Sequence, residues 1–365
     1  MQILGSTELR GDVHERDLCV NCGACVGQCP YFKSYKGKVA MLFPCSMQEG
    51  RCHAFCPKTE VDFDALSKAR FGFPYDGSPL GHHLRLYKAR AGERTLEKGA
   101  YQNGGTGSSI VAYALASGMI DGAALTQRHG LIPEPKLATT EEEIFACASS
   151  KYMASHTLAS LNTAPKELTK LGVVGTPCQM IASSQMQANG LERDDAPPIA
   201  LTIGLFCTWA LDTRKLTSLL DGRMAGAEIT SMDVPPPPAT AMVFETTKGR
   251  LEIPLDEIRT CIPEGCSICP DMTAEFADLS IGALEGDATW NTLIVRTEKG
   301  QKLVDEAVKA GYLETADYPE QSLENLKKGA AGKKQRAFAK AKEANLLNNT
   351  EEGQRSAMHV PESAF

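Results

Sequence analysis

Four closely spaced cysteines near the start of the chain limit what its first residues can form. Cys19, Cys22, Cys25 and Cys29 are separated by two, two and three residues, and Pro30 follows the last of them. Three thiolates at this spacing lie on one tight loop and can bind three irons of a four-iron cluster, while the fourth cysteine usually serves a second cluster. Zinc motifs rarely carry this run with its trailing proline. The spacing therefore predicts iron–sulfur chemistry.

A second and less complete group of cysteines follows the first. Cys45, Cys52 and Cys56 keep the final Cys-x3-Cys-Pro spacing but lack a middle cysteine. In a two-cluster arrangement, Cys56 completes the cluster that the first three cysteines begin. We call the four cysteines of that first cluster the front set, which comprises Cys19, Cys22, Cys25 and Cys56. The second set comprises Cys29, Cys45 and Cys52. Three thiolates predict a 3Fe-4S cluster, or a 4Fe-4S cluster whose fourth ligand is not a cysteine or comes from elsewhere. One cluster with spare thiols is the simpler alternative.

Four further cysteines are spread over the middle of the chain. Cys178 follows the apolar stretch LGVVG, Cys207 ends the stretch IALTIGLFC, and Cys266 and Cys269 form a Cys-x2-Cys loop. We call these four the domain set. Two ligands at strand ends and one such loop can converge on one tetrahedral site, but spacing alone does not separate zinc from an iron–sulfur cluster.

Composition narrows the class of protein further. Thirteen cysteines, an odd number, argue against a disulfide framework in a chain that does not start like a secretory signal. Cys147 lies on a predicted helix face and is expected in the core, and Cys261 is an alternative ligand or a bystander. The net charge of −7 argues against binding nucleic acid. The longest apolar run, Ile199 to Leu211, is too short for a membrane span, which needs about 18 residues. We therefore expect a cytoplasmic protein without a transmembrane segment.

The order of apolar stretches and helical patterns predicts an α/β fold after residue 84. Helices are expected at 63–73, 108–117, 298–310 and 333–346, and strands at 123–126, 171–175, 199–206, 277–284 and 290–297. A hairpin is expected around Lys248 and Gly249, and a rigid loop at Pro235 to Pro238. The predicted units are an iron–sulfur module over 1–62, a helix and linker over 63–83, an α/β domain over 84–330, and a helix with a loose tail over 331–365.

A glycine-rich stretch opens the first helix of this α/β domain. It comprises Asn103, Gly104, Gly105, Thr106, Gly107, Ser108 and Ser109. Glycines let backbone N–H groups approach a phosphate, and the N-terminus of a helix attracts its charge. The stretch is neither a Walker motif nor a GxGxxG after a strand, so it indicates either a phosphate-binding loop or a plain helix start.

Six separated segments occur in an order that resembles one family. They are YQNGGTGSSIVAYALASGMIDGA, SSKYMASHTL, GVVGTPCQM, IGLFC, GCSICPDMTAEFADLSIG and WNTLIVRTEKG. In this order they resemble the beta subunits of coenzyme F420-reducing hydrogenase and of F420-linked dehydrogenases, over roughly Leu84 to Leu326. The front of the chain is similar to that of F420H2 dehydrogenase input subunits. The second set is less complete than in that family, and Cys261 lies outside its pattern.

The resemblance implies a flavin-binding α/β domain with one FAD and one 4Fe-4S cluster, preceded by a bacterial ferredoxin-like module. It implies that the domain set binds the cluster, so the chain would hold two to three clusters. FAD is expected against the glycine-rich stretch and against Ser150, Lys151, Tyr152, Gly175, Thr176 and Pro177. Lys151 is the candidate cation that stabilises the reduced flavin and is the one catalytic residue predicted, with a plain surface lysine as the alternative.

Together these expectations predict an oxidoreductase that exchanges hydride with coenzyme F420 and relays single electrons through clusters. A flavin is the natural converter between the two modes of transfer. The expected partner is a hydrogenase, dehydrogenase or heterodisulfide reductase-like complex. This expectation is compatible with a position of the chain at the periphery of a membrane complex. The alternatives are a flavin reductase of the same fold with another substrate and a non-catalytic electron-transfer subunit.

Two groups of basic residues have two interpretations each. Arg85, Lys88, Arg90 and Arg94 precede the glycine-rich stretch and form either a rim for the anionic tail of F420 or a solvated face. The basic helix near the end of the chain is expected to be solvated or to face a partner. Its basic residues are Lys333, Lys334, Arg336, Lys340 and Lys342.

Overall fold

The computed structural model describes residues 2–189, 198–235, 239–351 and 354–365. Its helices are α1 (Ser6–Leu9), α2 (Arg51–Ala54), α3 (Phe63–Phe71), α4 (Thr106–Ala116), α5 (Glu141–Ala146), α6 (Ala159–Asn162), α7 (Pro177–Ala188), α8 (Thr213–Leu220), α9 (Leu255–Arg259), α10 (Glu264–Ser267), α11 (Glu298–Lys309) and α12 (Glu320–Glu343). A π-helical turn, Arg10–His14, continues α1, and a 3-10 turn covers Glu362–Ala364. The rigid loop expected at Pro235 to Pro238 lies outside the described residues, except for Pro235.

The strands begin in the cysteine-rich front and continue to the tail. They are β1 (Phe32–Tyr35), β2 (Lys38–Met41), β3 (Val61–Asp62), β4 (Arg85–Ala91), β5 (Gly122–His129), β6 (Ile132–Ala138), β7 (Leu171–Gly175), β8 (Ile199–Leu205), β9 (Ile229–Asp233), β10 (Ala241–Thr246), β11 (Gly249–Pro254), β12 (Leu279–Ala283), β13 (Asn291–Val295), β14 (Leu313–Asp317) and β15 (Met358–His359).

The central sheet has eight of the described strands, in the order β14-β4-β13-β12-β8-β7-β5-β6. Its four middle strands, β12, β8, β7 and β5, pair in parallel, whereas the flanking pairs are antiparallel. Helix α4 precedes β5 and α7 follows β7. This mixed sheet with crossover helices confirms the predicted α/β fold. Parallel strands end at one edge, and that edge is where loops of such sheets bind ligands.

Most expected elements are present, with shifted ends. The helix expected at 108–117 is α4, and the strand at 171–175 is β7 as predicted. The hairpin of β10 and β11 closes between Thr246 and Gly249. The helix expected at 333–346 starts much earlier, at Glu320. Strands β4, β6 and β14 are not among the expected ones, because charged residues and prolines interrupt their apolar pattern.

The tail is packed rather than loose, which corrects the expectation for residues after 346. Strand β15 pairs in parallel with β3, so that Met358 lies opposite Val61. One buried apolar cluster contains Val13 from the front of the chain, Val173 from β7, Phe338 from α12 and Met358 itself. The front, the sheet and the tail therefore share one core.

Candidate functional site

The four thiols of the front set line one small cavity. Cys19, Cys22 and Cys25 lie on the loop before β1, and Cys56 follows α2. Gly23 has φ +92°, and a Cβ there would collide with the carbonyl oxygen of His156, so only glycine fits this turn. Burial and then the Cys56 thiol raise the pKa of Cys22 well above its usual range. A bound cation would offset this cost by stabilising the thiolates.

The second set lies beside the front set. Cys29 precedes β1, Cys45 follows β2, and Cys52 belongs to α2. Burial raises the pKa of Cys52 to about 11, and the thiols of Cys29 and Cys45 add to this effect. The Cys52 thiol also contributes to the raised pKa of Cys25, which places the two sets next to each other.

The domain set gathers at the carboxyl edge of the parallel strands. Cys178 is the second residue of α7, directly after β7, and Cys207 follows β8. Cys266 lies in α10, and the backbone N–H of Ala210 donates to its sulfur. Burial raises the pKa of Cys178 to about 12, and the thiols of Cys269 and Cys266 contribute. The four thiols predicted from the sequence therefore act on one another in the folded chain.

The front set and the domain set are also neighbours. The thiol of Cys178 contributes to the raised pKa of Cys22. Gln179, the residue after Cys178, donates from Nε2 to the carbonyl oxygens of Cys22 at 3.4 Å and Ser155 at 2.9 Å. The three sets therefore follow one another in the order second set, front set, domain set.

The thiol sets supply the sulfur donors that an iron–sulfur cluster or a zinc ion requires. In the part of the chain that the structure describes, no group of three or more His, Cys, Asp or Glu side chains is arranged to hold one metal ion. A four-iron cluster is larger than a single ion, so its ligands stand further apart around a shared space, and the four front-set thiols share one small cavity. Backbone N–H groups of Asn21 and Val39 donate to the sulfur of Cys19, which is typical of cluster ligands.

The glycine-rich stretch lies at the same sheet edge as the domain set. A Cβ at Gly107 would have only Ile281 of β12 nearby, at 3.8 Å. Gly175 pairs with Gly204 of β8, which pairs with Ser280 of β12, so Gly175 lies two strands from β12. Two strand spacings are about 10 Å, a length that an extended dinucleotide can cover.

The residues of the glycine-rich stretch differ in how far neighbouring protein groups already contact them. Asn291 Oδ1 accepts from the backbone N–H of Thr106 at 3.2 Å, and the buried Thr106 hydroxyl has no hydrogen-bond partner among the described residues. The hydroxyl of Ser109 is engaged with Thr95 Oγ1 at 2.8 Å. Gly105 has φ +76°, and a Cβ there would approach the Tyr101 ring to 2.7 Å. The Thr106 hydroxyl and the space beside Gly107 are thus less occupied by protein groups than Ser109 and Gly105 are.

Gln102 connects the glycine-rich stretch to the segment that contains Lys151. Its Nε2 donates to Tyr152 Oη at 2.7 Å and to Asp233 at 2.6 Å, and its Oε1 accepts from the N–H of Ser150 at 3.2 Å. The two segments are therefore side by side in the fold. Sequence reasoning missed Gln102, and its place directly before the stretch was the only signal for it.

Lys151 folds back onto the end of α5. Its Nζ donates to the carbonyl oxygens of Cys147 at 2.5 Å, Ala148 at 2.9 Å and Ser149 at 2.7 Å. Burial lowers its pKa to about 8. Lys151 is therefore a partly buried cation that three hydrogen bonds fix in place. It is not a mobile surface lysine. Thr176 and Pro177, in contrast, cap and open α7 beside Cys178.

The predicted basic rim is divided between two faces of β4. Side chains alternate along a strand, so Lys88 and Arg90 share one face and Arg85 lies on the other. Lys88 Nζ lies 4.6 Å and the Arg90 guanidinium 4.4 Å from the Trp290 ring centre. Arg85 instead lies over Tyr87, and Arg94 over Tyr312. Of these four residues, Lys88 and Arg90 lie together beside Trp290, whose backbone a Cβ on Gly104 would touch, and Arg90 is paired with Glu314 at 2.7 Å.

The expectation that the basic C-terminal helix is solvated is wrong for two lysines. Lys333 and Lys334 are 6% and 4% exposed. Lys334 pairs with Glu275 at 2.8 Å and donates to Tyr75 Oη at 2.8 Å. Its partner Glu275 is buried, and desolvation raises the pKa of that carboxyl to about 7. The sequence pattern of α12 is amphipathic, but the positions of its lysines in the sequence did not reveal which face is buried.

The remaining two cysteines lie apart from the thiol sets. Cys261 is buried in a separate apolar cluster with Leu211 and Phe244, and its charged neighbours are Lys215 and Asp212. This place favours the bystander interpretation. Cys147 follows the last residue of α5 and is partly buried against the core that contains α4, so it is near the core as expected but not on a helix face.

Comparison with known proteins identifies relatives over most of the chain. Residues 86–162 match the N-terminal part, and residues 168–321 the C-terminal part, of the family described as "Coenzyme F420 hydrogenase/dehydrogenase, beta subunit". The coenzyme F420 hydrogenase subunit beta of Methanothermobacter thermautotrophicus is 32% identical over 71% of this chain and 94% of that protein. A subunit of the F(420)H(2) dehydrogenase of Methanosarcina mazei is 27% identical over 80% of this chain and 83% of that protein.

A solved structure agrees with these matches. The F420-reducing [NiFe] hydrogenase complex from Methanosarcina barkeri contains a chain that superposes with a TM-score of 0.65 at 27% identity, covering 74% of this chain and 98% of that one. Among the described residues, no helix is long and apolar enough to cross a membrane. The family matches, the sequence identity and the coverage of the relatives agree with one another. The chain belongs to the family of coenzyme F420 hydrogenase/dehydrogenase beta subunits.

Proposed function

We propose that this chain binds FAD at the sheet edge, exchanges hydride with coenzyme F420, and passes single electrons through iron–sulfur clusters to a redox partner complex. The observation that carries the proposal is the continuity of the site. The three thiol sets are consecutive neighbours, and the domain set lies at the same sheet edge as the glycine-rich stretch. FAD would convert hydride transfer into one-electron steps, and the clusters would carry the electrons onward.

The protein's own groups would hold and orient the flavin. The backbone N–H groups at the start of α4 suit a diphosphate, apart from that of Thr106, which donates to Asn291 Oδ1. The Thr106 hydroxyl, which has no partner among the described residues, adds a donor. Gln102 fixes Tyr152 and Ser150 beside this stretch. Lys151, held by three carbonyl oxygens, supplies a positive charge that favours a reduced, anionic ring.

The surface of Lys88, Arg90 and Trp290 is the proposed entry for coenzyme F420. Lys88 and Arg90 beside an indole ring suit a ligand that has both a ring system and an anionic tail, although Arg90 shares its charge with Glu314. The resemblance of the front to F420H2 dehydrogenase input subunits supports a partner that exchanges electrons at the second set. Subunits of hydrogenase and dehydrogenase complexes are among the relatives by name.

The test is to mix the anaerobically purified chain with reduced F420 and to record absorbance. Wild type is expected to bleach its flavin and then its clusters, and to contain about eight to twelve irons, since two or three four-iron sites are predicted. Cys266→Ser should lose the domain cluster, keep both front clusters, and still bleach its flavin. Four irons or fewer in wild type, or zinc in the domain set, would contradict the cluster assignment.

Two further outcomes separate the rivals. If the flavin is present but does not react with reduced F420, the chain is a reductase with another substrate. If the clusters are reduced only when a partner complex is added, the chain is an electron-transfer subunit without its own hydride chemistry.

A further inference from the structure

Two buried lysine side chains approach the domain set from opposite parts of the chain. Lys58 is 4% exposed and follows Cys56 and Pro57, whereas Lys333 is 6% exposed and lies in α12. Lysine is rarely buried without a charged or polar partner, because removing an ammonium group from water is costly. Both ammonium groups therefore need polar or anionic groups close by.

Lys333 contacts the domain set through backbone oxygens. Its Nζ donates to the carbonyl oxygen of Cys207 at 2.6 Å and to that of Asp271 at 2.7 Å. Asp271 lies two residues after Cys269, so both bonds end on segments that carry domain-set thiols. The thiols of Cys269 and Cys207 act electrostatically on the ammonium group. The positive charge is thus fixed at the rim of this set.

Lys58 lies between the front set and the domain set. It lines the cavity formed by the front-set thiols. Its charge acts on the Cys56 thiol of the front set and on the Cys178 and Cys266 thiols of the domain set. By contrast, the charged groups acting most on Cys52 of the second set are the thiols of Cys29 and Cys45.

We propose that Lys58 and Lys333 act as fixed charges that raise the reduction potential of the domain cluster above that of the second cluster. The inference rests on the proposed function, because it concerns clusters that the thiol sets would hold. A cluster that accepts one electron gains one negative charge, and a nearby buried cation stabilises that charged form. Electrons that enter at either end would then rest preferentially on the domain cluster, next to the proposed flavin site.

The two lysines predict different patterns of change. Lys333→Met removes a charge beside the domain set alone, so only the potential of the domain cluster should fall. Lys58→Met removes a charge shared by two sets, so the potentials of both the front and the domain clusters should fall. Lys340→Met is the matched control, because Lys340 is on the same helix as Lys333 but is exposed. Lys333→Arg keeps the charge and should restore the wild-type value.

The experiment is an anaerobic redox titration of the full chain, followed by low-temperature EPR, with iron and flavin content measured on every variant. The signal lost in Cys266→Ser identifies the domain cluster. We expect each lysine-to-methionine change to lower the equilibrium constant for reduction about tenfold, which is about 59 mV for one electron. Unchanged potentials in variants with full iron content, or an equal shift in Lys340→Met, would overturn the inference.

The design separates this inference from the proposed function. Absence of clusters from wild type would remove the proposed function itself. If Lys333→Met alone loses iron, because two backbone oxygens lose their donor, Lys58→Met decides the question. A Lys58→Met variant that is fully loaded and has wild-type potentials would refute the shared-charge role.

Discussion

Asn162 attaches the front-set loop to the α/β domain, so its removal should weaken both. Its Nδ2 donates to the carbonyl oxygens of Ala24 at 3.0 Å and Val26 at 2.7 Å, within and after the Cys22–Cys25 loop. The side chain is 5% exposed. Asn162→Ala leaves these two acceptors buried without this donor, and each such loss costs about 1–3 kcal/mol. We expect the free energy of unfolding to fall by about 2–4 kcal/mol, since relaxation offsets part of the loss.

The assay is anaerobic urea unfolding followed by circular dichroism, with iron release to a chelator measured in parallel. Asn189→Ala is the matched control, because Asn189 Nδ2 donates to one carbonyl oxygen of the front module, that of Ala54, at 2.7 Å. The control should lose only about 1 kcal/mol. Asn162→Ala should also release iron from the front set faster than the control. Equal losses in the two variants, or unchanged iron release in Asn162→Ala, would refute the idea that Asn162 holds the cluster loop.

Two more predictions concern the flavin. Gly107→Asp should abolish FAD binding, measured by bound flavin absorbance, without lowering the melting temperature, because a carboxylate favours the start of α4 but repels a diphosphate. Gly107→Ala is its control and should retain FAD, whereas unchanged FAD in Gly107→Asp would make the stretch an ordinary helix start. Gly105 suits this test less well, because its positive φ and the Tyr101 ring make any side chain there disturb the fold. Lys151 has its pKa lowered to about 8, so its charge is present below pH 8 and is lost as the pH rises through it. F420H2 oxidation should therefore decline through about pH 8 in wild type, and Lys151→Arg should move the decline to higher pH. Lys151→Ala should keep FAD but lower its potential by about 20–65 mV, for a contact worth about 1–3 kcal/mol. A wild-type potential and pH profile in Lys151→Ala would leave this lysine without a role at the flavin.

The proximity of the front-set cysteines could be predicted, because their spacing follows a ferredoxin-like pattern in the sequence. Cys56 is distant from Cys25 in the chain, yet the ferredoxin-like pattern predicted that they share a set, and the structure places them around one cavity. The strands before Cys178 and Cys207 were recognisable as short apolar runs. The shared sheet edge of these two cysteines then follows from parallel pairing.

The charged residues could not be placed in the same way. Lys333 is buried and Lys340 is exposed, although both are lysines of one helix. What distinguishes them is the packing of α12 against segments far away in the sequence, including the carbonyl oxygens of Cys207 and Asp271. Arg85 and Arg90 were likewise grouped because they are close together in the sequence. The many charges of β4 prevented its recognition as a strand of the central sheet with two faces.

The pairing of β3 with β15 has a consequence for biosynthesis. The front residues are synthesised before the tail, but their apolar side chains share one core with Phe338 and Met358, which are made much later, and Met358 pairs with Val61. A front module that emerges alone would expose this surface together with seven nearby thiols, and exposed apolar surface favours aggregation. Stable cluster insertion at the front should therefore follow translation of the tail, and a chain truncated before β15 should accumulate as an iron-poor, chaperone-bound species.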